Sequence, residues 1–217
     1  MAMPAPIRID FVSDVSCPWC AIGLNALEQA IRTSGADVEI HFQPFELNPQ
    51  MAPDGEDATE HLVRKYGLTP QQLERNREMI RARGAPLGFV FGQRRRIHNT
   101  FDAHRLLHWA GIEGADLQRA LKHALLRAYH SEGEDVGMHD VLARIAGSVG
   151  LDAKRARAVL DSGEYSEEVR AQERYYTERG IQAVPAVIFN ETQLVSGGQP
   201  VELFEQVLRQ LSGARSS

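Results

Sequence analysis

Hydrophobic positions at the start of the chain alternate with polar ones. Ile7, Ile9 and Phe11 are separated by Arg8 and Asp10, a period of two that predicts a β-strand. From Pro18 to Ser34 the period lengthens, and Ile22, Ala26, Leu27, Ala30 and Ile31 fall on one face of a helix. Gly35 follows, suited to the left-handed conformation that stops a helix. Alternation returns in Val38, Ile40 and Phe42 against Glu39, His41 and Gln43. Pro44, which cannot donate to a β-ladder, ends it. The three elements make a β-α-β unit.

Between residues 56 and 179 the spacing is helical. Thr69-Pro70-Gln71-Gln72 opens one helix with a capping box and a proline at its first position. Asn99 is placed to cap the next, which carries Phe101, Leu106, Leu107 and Trp109. Leu117, Leu121, Leu125 and Tyr129 mark another, and Val141, Leu142, Ile145 and Val149 one more, ended by Gly150. Asp152 caps a short helix, and Ser166 a longer one that stops at Gly180. No strand pattern interrupts the region, which reads as an all-helical unit of five or six helices.

Strand signals resume at Ala186–Phe189 and Gln193–Ser196, joined by the turn residues Asn190-Glu191-Thr192. After Gly197-Gly198, Pro200 starts a last helix with Val201, Phe204, Val207, Leu208 and Leu211 facing inward. Short strands at both ends of the chain must share one sheet, since neither end could bury a sheet face alone. The expected organisation is one discontinuous α/β domain, residues 1–55 and 180–217, with an inserted helical domain at 56–179. No internal repeat or low-complexity segment is present.

A length of 217 residues suits one large domain or a smaller one carrying an insertion. The net charge is −5, and the short basic run Arg94-Arg95-Arg96 with His98 falls short of a nucleic-acid footprint. No apolar run approaches the roughly 20 residues of a membrane helix. Met1 to Pro6 lacks the basic-then-apolar pattern of a secretory leader. A cytoplasmic location is therefore expected, and with it no structural disulfide. Two cysteines in a reducing compartment point to redox chemistry or metal binding.

Those cysteines stand in Cys17-Pro18-Trp19-Cys20, directly after a strand and opening a helix. Cys17 falls at the N-cap and Pro18 at the first helical position, where a missing N–H costs nothing. A spacing of three puts both sulfurs on one helix face. Unpaired N–H groups and the positive end of the helix dipole stabilise a thiolate at Cys17, and the thiolate is the nucleophile. Cys20, one turn deeper, is expected to be the resolving thiol. A zinc site needs four ligands, and no histidine adjoins the pair, so no metal is expected. Val184-Pro185 precedes the third strand and could face the cysteines with a cis bond, its backbone free to dock an extended peptide. Asp14, three residues before Cys17, could tune the thiol; Asp10 is a weaker candidate, on what could be an exposed strand face. His104 and His108 share a helix face, for which packing is expected rather than metal binding. Trp19 reads as a contact surface. Tyr129, Tyr175 and Tyr176 read as packing.

These residues resemble a known family. Cys-Pro-Trp-Cys preceded by Asp14, the long helical insertion, Ala183-Val184-Pro185 and the terminal β-β-α unit are similar to the DsbA family of thiol–disulfide oxidoreductases, and more narrowly to its FrnE-like cytoplasmic branch. The similarity runs from about Ile7 to Leu211. It implies a thioredoxin-like fold (β-α-β plus β-β-α) with a helical insertion, a cis Pro185, and dithiol–disulfide exchange through Cys17 and Cys20 with no bound cofactor. Pro18, Trp19, Val184 and Pro185 would contact the substrate, a disulfide-containing protein or small thiol. Some relatives carry a further cysteine pair, and this chain has none, so relay through a second internal pair is excluded, and the electron partner is not identified by the sequence. Kappa-class glutathione transferases and 2-hydroxychromene-2-carboxylate isomerases resemble the same scaffold but have serine in place of the first cysteine. A glutathione-dependent isomerase or transferase is therefore the alternative. Gly198 and Gln199 would then contact glutathione, which is also the small-thiol partner to consider for exchange. An apolar face on the helical block would support a homodimer.

Overall fold

The computed structural model describes residues 5–213; residues 1–4, part of the stretch read for a leader, lie outside it. β1 (Ile7–Ser13), β2 (Val38–Pro44), β5 (Ala186–Phe189) and β6 (Gln193–Ser196) form one sheet in the order β2-β1-β5-β6. β1 runs parallel to β2, with Ile9 opposite Ile40, and antiparallel to β5, with Ile9 opposite Phe189. A parallel pair needs a crossover, supplied by α1 (Pro18–Ser34). Gly35 ends this helix at φ 65°, a left-handed conformation that glycine adopts without steric cost.

As the central strand, β1 is buried on both faces. Ile7, Ile9 and Phe11 pack with Leu24 and Leu27 of α1 and with Phe204 and Leu208 of α9 (Val201–Gly213). Each such side chain contributes about 1.5–3 kcal/mol on burial. On the opposite face Val12 and Ala186 pack against Tyr176 and Ile181. Asp10 shares that face and is only 3% exposed. The sequence suggested an open face there, but α8 (Ser166–Glu178) covers it. Arg8 and Gln43 bond the Asp10 carboxylate.

The insertion departs from the all-helical reading in one respect. Glu56–Asp57 (β3) pairs antiparallel with Arg96–Ile97 (β4). Two-residue strands carry no periodicity for a sequence to display. Around them, among the described residues, lie seven α-helices rather than five or six: α2 (Ala58–Tyr66), α3 (Pro70–Gly84), α4 (Phe101–Glu113), α5 (Ala115–Arg127), α6 (His139–Ser148), α7 (Ala153–Ser162) and α8. The Thr69–Gln72 capping box and the Asp152 cap are present. Two other caps are displaced by one residue. Thr100, not Asn99, is the N-cap of α4, although Asn99 Oδ1 still accepts from Phe101 N–H at 2.9 Å. Tyr165, at φ 64°, takes the N-cap of α8, and Ser166 is its first residue. α5 runs on into a π-helical turn, Ala128–Glu132. The core of this unit includes Leu106, Leu121, Leu125 and Leu142, and it takes in Val15 from the segment between β1 and α1.

Candidate active site

The site forms where β1 ends and α1 begins. Cys17 is the N-cap, in extended conformation, and Pro18 is the first helical residue. Cys17 N–H donates to Asp14 O at 3.2 Å, and Cys20 N–H donates to Cys17 O at 3.1 Å. Both cysteines are free thiols. Cys20 is fully buried, and Cys17 is only 3% exposed. The sequence placed Cys17 at an open helix start. The structure instead buries it in an apolar cluster with Phe89 and Leu126 of the insertion and Val184 of the β5 approach. Burial pushes the Cys20 thiol well up, and its hydrogen bond to Cys17 and the charge there add to the effect. Cys20 therefore holds its proton beside the Cys17 sulfur.

Val184-Pro185 arrives on the other side of the thiol pair, with a cis peptide bond. The Cys17 thiol donates to Val184 O at 3.5 Å. Pro185 lies against α1 so closely that a methyl group on Gly23 would come within 3.0 Å of its Cγ. Gly198 is equally close to the motif: a Cβ there would stand 3.0 Å from Trp19 O and 3.1 Å from its ring. Pro18 and Trp19 are half-buried. Gln199 turns back on its own loop, its amide donating to Ser196 O at 2.7 Å.

Asp14 is fully buried. Its carboxylate accepts from Ser16 N–H at 3.0 Å, Ser16 O–H at 2.9 Å and Leu47 N–H at 2.7 Å. His104 Nε2 lies 3.6 Å from Asp14 Oδ1. Burial raises the Asp14 pKa, but His104 and the two backbone N–H groups outweigh it and hold the carboxyl well below the usual carboxylate range. The two histidines of α4 thus part company. His104 faces the Asp14 carboxylate, while His108 packs on the Tyr165 ring and bonds Gln172.

Three groups at the site were not read from the sequence. Lys122 of α5 is 1% exposed. Burial lowers its pKa, and the charges of Cys20, Asp14 and Cys17 oppose the shift. His130, on the π turn, donates from Nε2 to Val15 O at 2.9 Å. Burial first, then the nearby Arg94, holds it well below the ordinary histidine range, hence neutral. Arg94 donates to Ser16 O at 2.9 Å and lies over the Tyr129 ring. Asp14, Val15 and Ser16, the three residues before Cys17, are therefore each held by a different part of the insertion. Lys122 was legible in principle. Gln118, Leu121, Lys122 and Leu125 occupy one helical stripe, so a lysine stands where an apolar residue belongs.

Chemically, the arrangement is an inequivalent pair of thiols with a buried carboxylate, Asp14, and a buried lysine, Lys122, close by. The chain resembles known proteins across almost its full length. The pattern of the DSBA-like thioredoxin domain matches residues 8–209. A probable DsbA oxidoreductase from Streptomyces coelicolor superposes with a TM-score of 0.87 at 35% identity, covering 95% of this chain and 90% of its own. The uncharacterized protein YwbO of Bacillus subtilis is 26% identical over 93% of this chain and 96% of its own length. The cytosolic disulfide reductase DsbM from Pseudomonas aeruginosa, solved with GSH, shares the fold at a TM-score of 0.65 and 17% identity, over 94% of this chain and 99% of its own. Matched from residue 8 to residue 209, the chain belongs to the DSBA-like thioredoxin domain family.

Proposed function

We propose that Cys17 and Cys20 exchange electrons with the disulfide of a protein or small thiol, Cys17 attacking and Cys20 resolving. The observation that carries this is the inequivalence of the two sulfurs: Cys20 is fully enclosed and held protonated, while Cys17 keeps the helix-start position and a carbonyl contact. The Cys17 thiolate attacks a substrate sulfur, forming a mixed disulfide and expelling the other substrate thiolate. Cys20 then loses its proton and attacks the Cys17 sulfur. The second substrate thiolate leaves, and the enzyme keeps a Cys17–Cys20 disulfide. The substrate gains two electrons and the chain loses two. An external dithiol restores the enzyme, and the relative potentials of the two partners set the net direction. Val184 and Pro185 supply the edge along which an extended substrate would lie.

The test is trapping. Cys20→Ser incubated with a disulfide substrate should accumulate mixed disulfides on non-reducing gels, and Cys17→Ser should accumulate almost none. Equal trapping by both variants would make the thiols equivalent. Full insulin-reducing activity in both would move the chemistry elsewhere.

A further inference from the structure

At Pro18, the residue after Cys17, opens a cleft of about 380 Å³, with Phe91 and His130 also in its wall. That volume falls in the range of small-molecule sites. Four arginines line it (Arg77, Arg81, Arg94 and Arg95) against two carboxylates, Asp57 and Glu74. The carboxylates are already engaged. Asp57 caps α2 by accepting from Thr59 N–H and Glu60 N–H. Glu74 is bound by Arg81 at 2.6 Å and Arg77 at 3.5 Å. Among the described residues neither Arg94 nor Arg95 forms an ion pair. Arg94 is fixed by Ser16 O and Tyr129. Arg95 is exposed, and its backbone carbonyl accepts from Ala58 N–H at the start of α2. A chain with a net charge of −5 thus places surplus positive charge around Pro18, one residue from Cys17.

We propose that this cleft is an anion subsite that selects small disulfides bearing carboxylates and presents them to Cys17. The inference rests on the thiol–disulfide reading above and names its substrate class. Arg94 and Arg95, with Arg77 behind them, hold the carboxylate of the half-molecule that stays bound. That half becomes the partner in the mixed disulfide, while the other half departs as a thiolate and takes a proton from water. Cys20 then gives up its proton, closes the bond to Cys17 and releases the bound half as a second thiolate. Two electrons pass from the dithiol to the substrate, so a single turnover needs no other reductant.

The experiment uses the reduced full chain and three disulfides of similar size: dithiodipropionate (anionic), hydroxyethyl disulfide (neutral) and cystamine (cationic). Oxidation of the protein is followed by Trp19 fluorescence in a stopped-flow instrument. A free thiolate prefers the cationic disulfide and disfavours the anionic one, because charge attracts or repels accordingly. The expected result is the inverted order, with dithiodipropionate faster than the neutral compound by about tenfold, as local steering allows. The preference should shrink towards unity in high salt and in the double variant Arg77→Gln/Arg95→Gln. Equal rates on all three, or a cationic preference, would overturn the subsite and leave the oxidoreductase reading standing. Reaction with an acidic peptide disulfide but none of the small ones would overturn the small-molecule assignment. No oxidation by any disulfide would overturn both.

Discussion

A lysine with 1% of its surface exposed has given up its hydration, and a fold that keeps it there has lost stability by doing so. At the level of single residues, Lys122 is therefore a test of what the site does. Its charge is what draws the Cys20 thiol downward against burial. Lys122→Met should slow resolution of the mixed disulfide about tenfold at pH 7, about 1.4 kcal/mol of barrier. Raising the pH should restore the rate, because more Cys20 then ionises. The same variant should melt at an equal or higher temperature than the parent, since an apolar side chain of similar length replaces a buried cation. A purely structural lysine would lose stability and show no such pH rescue. The placement of the cysteine pair at the start of α1, with Asp14 just before it, was legible from the spacing. Lys122 and His104 were not singled out for the site, because their partners lie on segments remote in sequence and only tertiary packing brings them together.

Among elements, β1 and β2 alternate with a period of two, α1 and α9 repeat near 3.6, and β5 and β6 are short runs centred on apolar residues and bounded by turn residues; all six were read correctly. β3 and β4, two residues each, and the π turn at Ala128–Glu132 depend on pairing or on a local change of register, neither of which leaves a periodic trace. That turn matters, because it carries His130 to the carbonyl of Val15. His130→Ala would leave a buried carbonyl unpaired, a cost of about 1–3 kcal/mol. The expected outcome is a lower urea midpoint with an unchanged slope. Exchange at Cys17 should slow as well, because the segment that positions it is loosened. Wild-type exchange rates in a variant that has lost stability would show that the clamp serves folding alone.

Across the whole molecule, buried carboxylates pull the pH dependence of stability in opposite directions. Burial raises the pKa of Glu28, but hydrogen bonds from His123 and Arg119 outweigh it and the net shift is downward. Asp14 is also lowered. Both contribute stability that is full above their unfolded values of about 4 and lost as the pH falls through the folded ones. Glu46 runs the other way. Burial first, then the charge of Glu173, raises its pKa. Its ionised form costs stability at neutral pH, and that cost vanishes in acid. Glu46 and Glu173 both bind Arg170, yet each keeps a buried Oε1 with no hydrogen-bond partner among the described residues. Glu46→Gln supplies an amide donor and removes a charge. It should raise the melting temperature by about 2–4 °C at pH 7, the equivalent of about 1 kcal/mol in a chain of this size, with the gain fading near pH 4. An equal gain at both pH values would assign the effect to packing. The pairing of β1 with β5 joins Ile9 to Phe189, contacts very distant along the chain, and such contacts form late in folding. Val187 and Val184, which pack in the cluster that encloses Cys20, arrive with β5. During refolding, helical circular dichroism should recover first, while pulsed iodoacetamide still labels Cys20 rapidly. Protection of that one sulfur should appear last, which makes its accessibility a clock for completion of the fold.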